Sequence, residues 1–179
     1  MAERPPVVCF VARSGTGKTT FLEKLIPHLK ARGLRLGVLK HHAHATAFDV
    51  PGKDSYRLAQ AGADTVVGSC VLQVAVFHQS PGPTDPDVLV DRYLRDVDLV
   101  LAEGFKDSRH PKVEVCRAAA AAPAGNGGPA LQCRPDELLA VVSDCRVDVP
   151  VPTFDLEDAA GMANFLADWW RARCRPASV

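Results

Sequence analysis

Lys18 and Thr19 close the stretch Ser14-Gly15-Thr16-Gly17-Lys18-Thr19-Thr20, which follows the apolar run Val7 to Val11 and precedes residues with helical spacing. A buried strand, a glycine-rich turn and a helix N-terminus in that order aim several backbone N–H groups at one point, where the lysine adds a full positive charge. The ligand that suits this chemistry is a triphosphate. Ser14, Gly15, Thr16, Gly17, Lys18, Thr19 and Thr20 would form its cradle, and the Thr19 hydroxyl would be a ligand for Mg²⁺. The Gly-Lys-Thr triplet is a weak signal alone; its place between strand and helix is what argues for a nucleotide site. Loops of this kind ordinarily open on glycine, and here Ala12 stands there. Alanine fits only if its φ stays negative, because a Cβ makes left-handed backbone costly.

A phosphate-binding loop that works on nucleotides needs an acidic group to hold the cation that neutralises the phosphate oxygens. Glu103, at the tip of the apolar run Asp98 to Ala102, is one candidate; Asp49, shortly before Pro51-Gly52, is the other, as a metal ligand or a water positioner. These two are the candidate catalytic residues, and with Thr19 they are the candidate metal ligands. His41, His42 and His44 place half of the six histidines in one loop, where imidazoles could face an anion, act as bases or bind a transition metal. Lys53, entering a helix whose orphan N–H groups Asp54 or Ser55 could cap, and Lys106, after Glu103-Gly104-Phe105, add cations that could serve the phosphates. Asp144 ends a strand-like run, and its two acceptor oxygens could read the N–H donors of guanine, although the usual Asn-Lys-x-Asp string is absent.

These side chains must be held by something, and the pattern around them is an alternation of short β-rich runs with helical ones. Strands are expected over Val7 to Val11, Leu34 to Leu39, Asp98 to Ala102, Lys112 to Cys116, Leu138 to Val142 and Val151 to Phe154. Thr65 to Cys70 and Val71 to Phe77 read as a hairpin. Helices are expected from Gly17 to Ala31, with a kink or loosening at Pro27, from Lys53 to Ala61, from Pro86 to Leu94, and from an Asp155–Asp158 capping box to Arg173. The predicted fold class is α/β and P-loop NTPase-like: a mostly parallel sheet with helices on both faces and some antiparallel hairpin strands. The length, 179 residues with 47% hydrophobic content, suits a single nucleotide-binding domain, with a mobile Ala/Gly/Pro-rich insertion at about 117–134.

Acidic and basic side chains balance at 21 each, so no global basic field favours nucleic acid. No run is long enough to span a membrane or to form a signal-peptide core, and a cytoplasmic protein is the expectation. The six cysteines show no CxxC pair, which argues against a zinc knuckle. Cys9, Cys70 and Cys116, in apolar runs, are expected to be small buried hydrophobes.

The chain resembles the molybdopterin-guanine dinucleotide biosynthesis protein B (MobB) family. The resemblance is carried by Ser14 to Thr20 with Glu23-Lys24-Leu25-Ile26-Pro27, by Lys40-His41 with His44, by Asp49 and Pro51-Gly52-Lys53-Asp54-Ser55, and by Ala61-Gly62-Ala63. Leu99 to Lys106, containing Glu-Gly-Phe-Lys, and Pro111 to Val115 complete it. It implies a P-loop α/β fold, GTP and Mg²⁺ as ligands, weak GTP hydrolysis and homodimerisation. It also implies partnership with the molybdopterin guanylyltransferase that attaches GMP to molybdopterin, and so contact with the molybdopterin cofactor. Ala12 and Ala43 depart from the glycine and histidine usual in that family. Two other classes fit the motifs: a small-molecule kinase, whose lid would have to be Arg117 to Arg134, and a metallochaperone GTPase using His41, His42 and His44.

Overall fold

The structure is a computed structural model that describes residues 4–42, 48–82, 84–120 and 130–174. Its contacts fall into two compact units, one taking the chain up to His41 and again from Asp85, the other His42–Thr84.

The larger unit is built on a six-stranded sheet of β1 (Val7–Val11), β2 (Leu36–Lys40), β5 (Leu99–Glu103), β6 (Lys112–Cys116), β7 (Leu138–Ser143) and β8 (Thr153–Phe154), in the order β2-β5-β1-β6-β7-β8. All of its pairings are parallel. Strands buried on both faces favour apolar residues at every position rather than at alternate ones, as in β1 and, up to Ala102, in β5. β6 is equally buried but holds two charges, Lys112 donating to the Ser108 carbonyl and Glu137, and Glu114 accepting the N–H groups of Gln132 and Cys133. On one face, Val8, Phe10 and Leu101 meet the apolar stripe of α1 (Lys18–Ala31), formed by Phe21, Leu22, Leu25 and Leu29, and Met162 and Leu166 of α4 (Ala159–Cys174). On the other, Val7, Cys9, Val11 and Val100 pack with Val90 of α3 (Pro86–Tyr93) and with Phe105. The β2 edge closes tightly on that side: a Cβ at Gly37 would lie 3.1 Å from Leu94 and 3.2 Å from Val97.

The smaller unit holds α2 (Asp54–Gln60) and an antiparallel hairpin of β3 (Thr65–Ser69) and β4 (Val74–His78).

Several expected boundaries move, each for a local reason. Val71 and Leu72 are not strand but the exposed turn of the hairpin, where Cys70 N–H donates to the Gln73 carbonyl at 3.0 Å; the turn also leaves Cys70 exposed, whereas Cys9 and Cys116 are buried. The Asp155–Asp158 capping box does not form. Asp158 itself caps α4, accepting the Gly161 N–H at 2.8 Å, while Asp155 accepts the Glu157 N–H in the preceding turn. Neither Asp54 nor Ser55 caps α2; Lys53 is its N-cap residue, and no side chain bonds there. α1 continues through Pro27. Of the insertion, residues 121–129 lie outside the described residues.

Candidate nucleotide-binding site

β1 ends in a turn that its own residues tie: the Thr16 N–H and Oγ1 both donate to the Arg13 carbonyl, at 3.3 and 2.8 Å. Gly15 and Gly17 have φ of 76° and 92°, values glycine adopts without steric cost. Among the described residues only Phe105 is a non-glycine with positive φ, so Ala12 meets the condition its Cβ sets. Gly17 is the N-cap of α1 and no side chain caps it. The first intrahelical bond from this residue runs from Phe21 N–H to the Gly17 carbonyl at 2.9 Å. The N–H groups of Lys18, Thr19 and Thr20 therefore have no acceptor within the helix, and the positive end of the helix dipole is open to an anion.

Glu103 completes the mouth of this loop from the tip of β5. It is only 9% exposed; Thr19 Oγ1 donates to its Oε1 at 2.7 Å, Lys40 Nζ to its Oε2 at 3.2 Å, and Lys18 Nζ lies 3.7 Å from Oε1. Burial alone would raise the pKa of this carboxyl. The hydrogen bonds from Thr19 and Lys40 and the charges of Lys40 and Lys18 outweigh burial and hold it below the usual carboxylate range. A buried carboxylate is thus kept ionised next to a threonine hydroxyl. Two oxygens 2.7 Å apart are close to the spacing of about 3 Å between neighbouring ligands of an octahedral Mg²⁺, so the donor set fits that cation.

Behind Glu103 the backbone is contorted. Gly104 has φ 96°, open to glycine, and Phe105 has φ 54°, a left-handed conformation that costs a residue with a Cβ and persists where surrounding structure holds it. A Cβ on Gly104 would come 3.2 Å from that of His41. His41 N–H donates to the Glu103 carbonyl at 2.9 Å, and its ring lies 4.9 Å from that of Phe105. His41 is thus brought to the site through the β2–β5 pairing. Lys106, two residues beyond Gly104, lines a polar groove with Asp107, Gln132, Cys133, Arg134 and Glu137.

In the smaller unit, Asp49 Oδ1 accepts the Val50 N–H at 2.8 Å and the Ser55 hydroxyl at 3.0 Å, and Oδ2 is buried without a partner. This is a turn-forming aspartate with one oxygen left unsatisfied. The Lys53 N–H donates to the Val50 carbonyl at 3.2 Å in the same turn. His44 lies outside the described residues. Among those residues, no three His, Cys, Asp or Glu side chains are grouped to hold a metal.

Two residues join the loop's surroundings without having been singled out as site residues. Lys40 is the second cation on Glu103. Arg117, read as the start of the 117–134 insertion, donates from Nε to the Thr16 carbonyl at 2.8 Å, a bond over 101 residues of sequence. Lys40 ends β2 and Arg117 follows β6, so both lie at the C-terminal ends of strands, where ligands of open α/β sheets bind; charge at that position was the available signal.

A parallel sheet whose first strand delivers a lysine-bearing glycine loop into an uncapped helix, with an ionised glutamate at the tip of the neighbouring strand, defines a P-loop nucleotide-binding protein. Residues 7–144 match the family model of molybdopterin guanine dinucleotide synthesis protein B, MobB. The chain is 38% identical over 173 residues to the molybdopterin-guanine dinucleotide biosynthesis adapter protein of Escherichia coli strain K12, covering 92% of this chain and 93% of that one. It is 34% identical to the protein of the same description from Haemophilus influenzae, covering 94% and 92%. A crystal structure of molybdopterin-guanine biosynthesis protein B superposes with a TM-score of 0.70 at 28% identity, covering 91% of this chain and 99% of that one. The chain belongs to the MobB family.

Proposed function

We propose that this chain binds GTP with Mg²⁺ and serves as an adapter in molybdopterin-guanine dinucleotide biosynthesis; the relatives' names give those proteins the adapter role. The observation that carries the nucleotide part is the convergence of Lys18, Thr19 and Glu103 at the uncapped start of α1. In this reading Lys18 and the amides of Ser14 to Thr20 hold the phosphates, and Thr19 and Glu103 hold Mg²⁺. There the cation would neutralise phosphate charge. His41 and Lys106, in the same unit as the loop, serve the phosphates or the partner. Turnover is slow, because Glu103 is held as an anion by two lysines and a hydroxyl and is a poor proton acceptor. The adapter acts in the cytoplasm as a homodimer, alongside the guanylyltransferase that joins GMP to molybdopterin. Among the described residues no helix is long and apolar enough to cross a membrane.

Calorimetric titration of the full chain with GTP and ATP, with and without Mg²⁺, tests this. GTP should bind in a Mg²⁺-dependent way. Lys18→Ala should lose at least tenfold in affinity, since a charge-assisted hydrogen bond contributes about 1.5–3 kcal/mol, while its far-UV circular dichroism stays unchanged. A folded Lys18→Ala protein with wild-type affinity would overturn the site.

A further inference from the structure

The tips of β6 and β7 lie on the other side of β1 from Glu103, and their side chains form a linked set with the phosphate loop. Besides the Arg117 Nε bond to the Thr16 carbonyl, Arg117 Nη2 lies 3.3 Å from where a Cβ on Gly17 would sit. The guanidinium lies against the loop at a position that tolerates it because residue 17 is glycine. Asp144, just past the end of β7, accepts the Ala118 N–H through Oδ1 at 2.8 Å, and its Oδ2 lies 3.9 Å from Arg117 Nη1. Both side chains are partly exposed, 42% for Arg117 and 36% for Asp144. The loop, Arg117 and Asp144 are thus held in one arrangement at the C-terminal edge of the sheet, with Arg117 Nη1 beside Asp144 Oδ2.

The direction of a bound nucleotide follows from the site already described, on which this inference rests. The cation between the outer phosphates belongs beside Thr19 and Glu103, on the β5 side. That side is filled by Lys40 reaching Glu103 and by His41 stacked on Phe105. The nucleoside end must therefore extend the other way, across the ends of β6 and β7. We infer that Arg117 and Asp144 form the nucleobase subsite, Asp144 Oδ2 accepting from the N1–H and N2–H of guanine and the Arg117 Nη groups donating to O6. An acceptor and a donor side by side match that edge of guanine, where N–H donors adjoin a carbonyl; the carboxylate can take two donors from guanine, whereas adenine offers it only the N6 amino group. Arg117 does a second job in the same arrangement. By holding the Thr16 carbonyl it fixes the distance from phosphate cradle to base.

Asp144→Asn is the informative variant. Asparagine keeps an oxygen for the Ala118 N–H and puts an amide N–H₂ where Oδ2 was, which suits the C2 carbonyl of xanthine and repels the amino group of guanine. Titrations of the full chain with GTP, XTP and inorganic tripolyphosphate, all with Mg²⁺, should show wild type preferring GTP over XTP by tenfold or more. Asp144→Asn should reverse that order, with tripolyphosphate affinity the same in both proteins. Arg117→Lys should weaken GTP at least fivefold and tripolyphosphate by less. An Asp144→Asn protein with the wild-type GTP-to-XTP ratio overturns the base subsite while leaving the phosphate site standing. A wild-type chain that binds neither GTP nor tripolyphosphate brings down the phosphate site, and this inference with it.

Discussion

Glu103 receives a hydroxyl and two ammonium groups in a nearly closed space, and that concentration of donors decides what it can do. A carboxylate so held stays charged when the solvent turns mildly acidic. Because its folded-state pKa lies below its unfolded value, it contributes stability that is complete above the usual carboxylate range and is lost as pH falls through the lowered value. Glu103→Gln has no such proton to take up, so on going from pH 7 to pH 3 its melting temperature should fall less than that of wild type; parallel losses would mean that the carboxylate is not held down. The same variant keeps a carbonyl for Thr19 but removes the charge a cation needs. GTP affinity measured with and without Mg²⁺ should therefore drop at least tenfold with the metal and by a much smaller factor without it. Equal losses would argue against a metal role. Glu103 could be read from sequence because an acidic residue closing an apolar run is a local pattern. Its partner Lys40 lies 63 residues away, and Arg117 reaches the loop across 101, contacts that only the strand order creates.

At the scale of elements, the strands that were most legible are those with no freedom to be anything else. Val7–Val11 and Lys112–Cys116 are observed with the expected limits, each a short β-rich run that begins directly after a proline, Pro6 or Pro111. Val71 and Leu72 look like the same kind of run and form a turn instead, because hydrophobicity says nothing of which residues have a strand partner. Helix starts show a similar limit. Asp155 and Asp158 both have capping chemistry, and the choice between them rests on backbone approach: a Cβ on Gly161 would lie 2.2 Å from Asp158 Oδ2, so the glycine three residues on lets the Asp158 carboxylate close over the helix end. Asp158→Ala should cost about 1 kcal/mol in denaturant unfolding. Asp155→Ala, which leaves that cap in place, should cost less. A larger loss from Asp155 would mean that Asp155, not Asp158, holds the start of α4. The contrast with α1 is in what fixes the helix: its stripe of Phe21, Leu22, Leu25 and Leu29 anchors it to the sheet by burial, with no side-chain cap, and Leu25→Ala, at a fully buried position, should cost roughly 2–5 kcal/mol in the same unfolding measurement.

For the molecule as a whole, the large sheet accounts for its own surfaces, and the hairpin does not. In β3 and β4 the pairs Val67–Val76 and Ser69–Val74 stand opposite each other, so Val67, Val74 and Val76 share one face, and they are 61%, 64% and 43% exposed. Two strands alone are marginal in water, and three valines on one open face add an apolar patch that a monomer gains nothing by exposing. A second copy of the chain covering this face satisfies both conditions, which supports the homodimer proposed above. The patch carries no charge of its own, so an association built on it should survive high salt, unlike one resting on ion pairs. Light scattering of the wild-type chain in low and high salt should report a dimer in both. Val76→Lys, which sets an ammonium in the middle of that face, should yield a monomer that still binds GTP, because the phosphate loop belongs to the other unit. A Val76→Lys protein that remains dimeric, or a wild-type chain that is monomeric at every concentration, would show that something other than a second copy covers the hairpin.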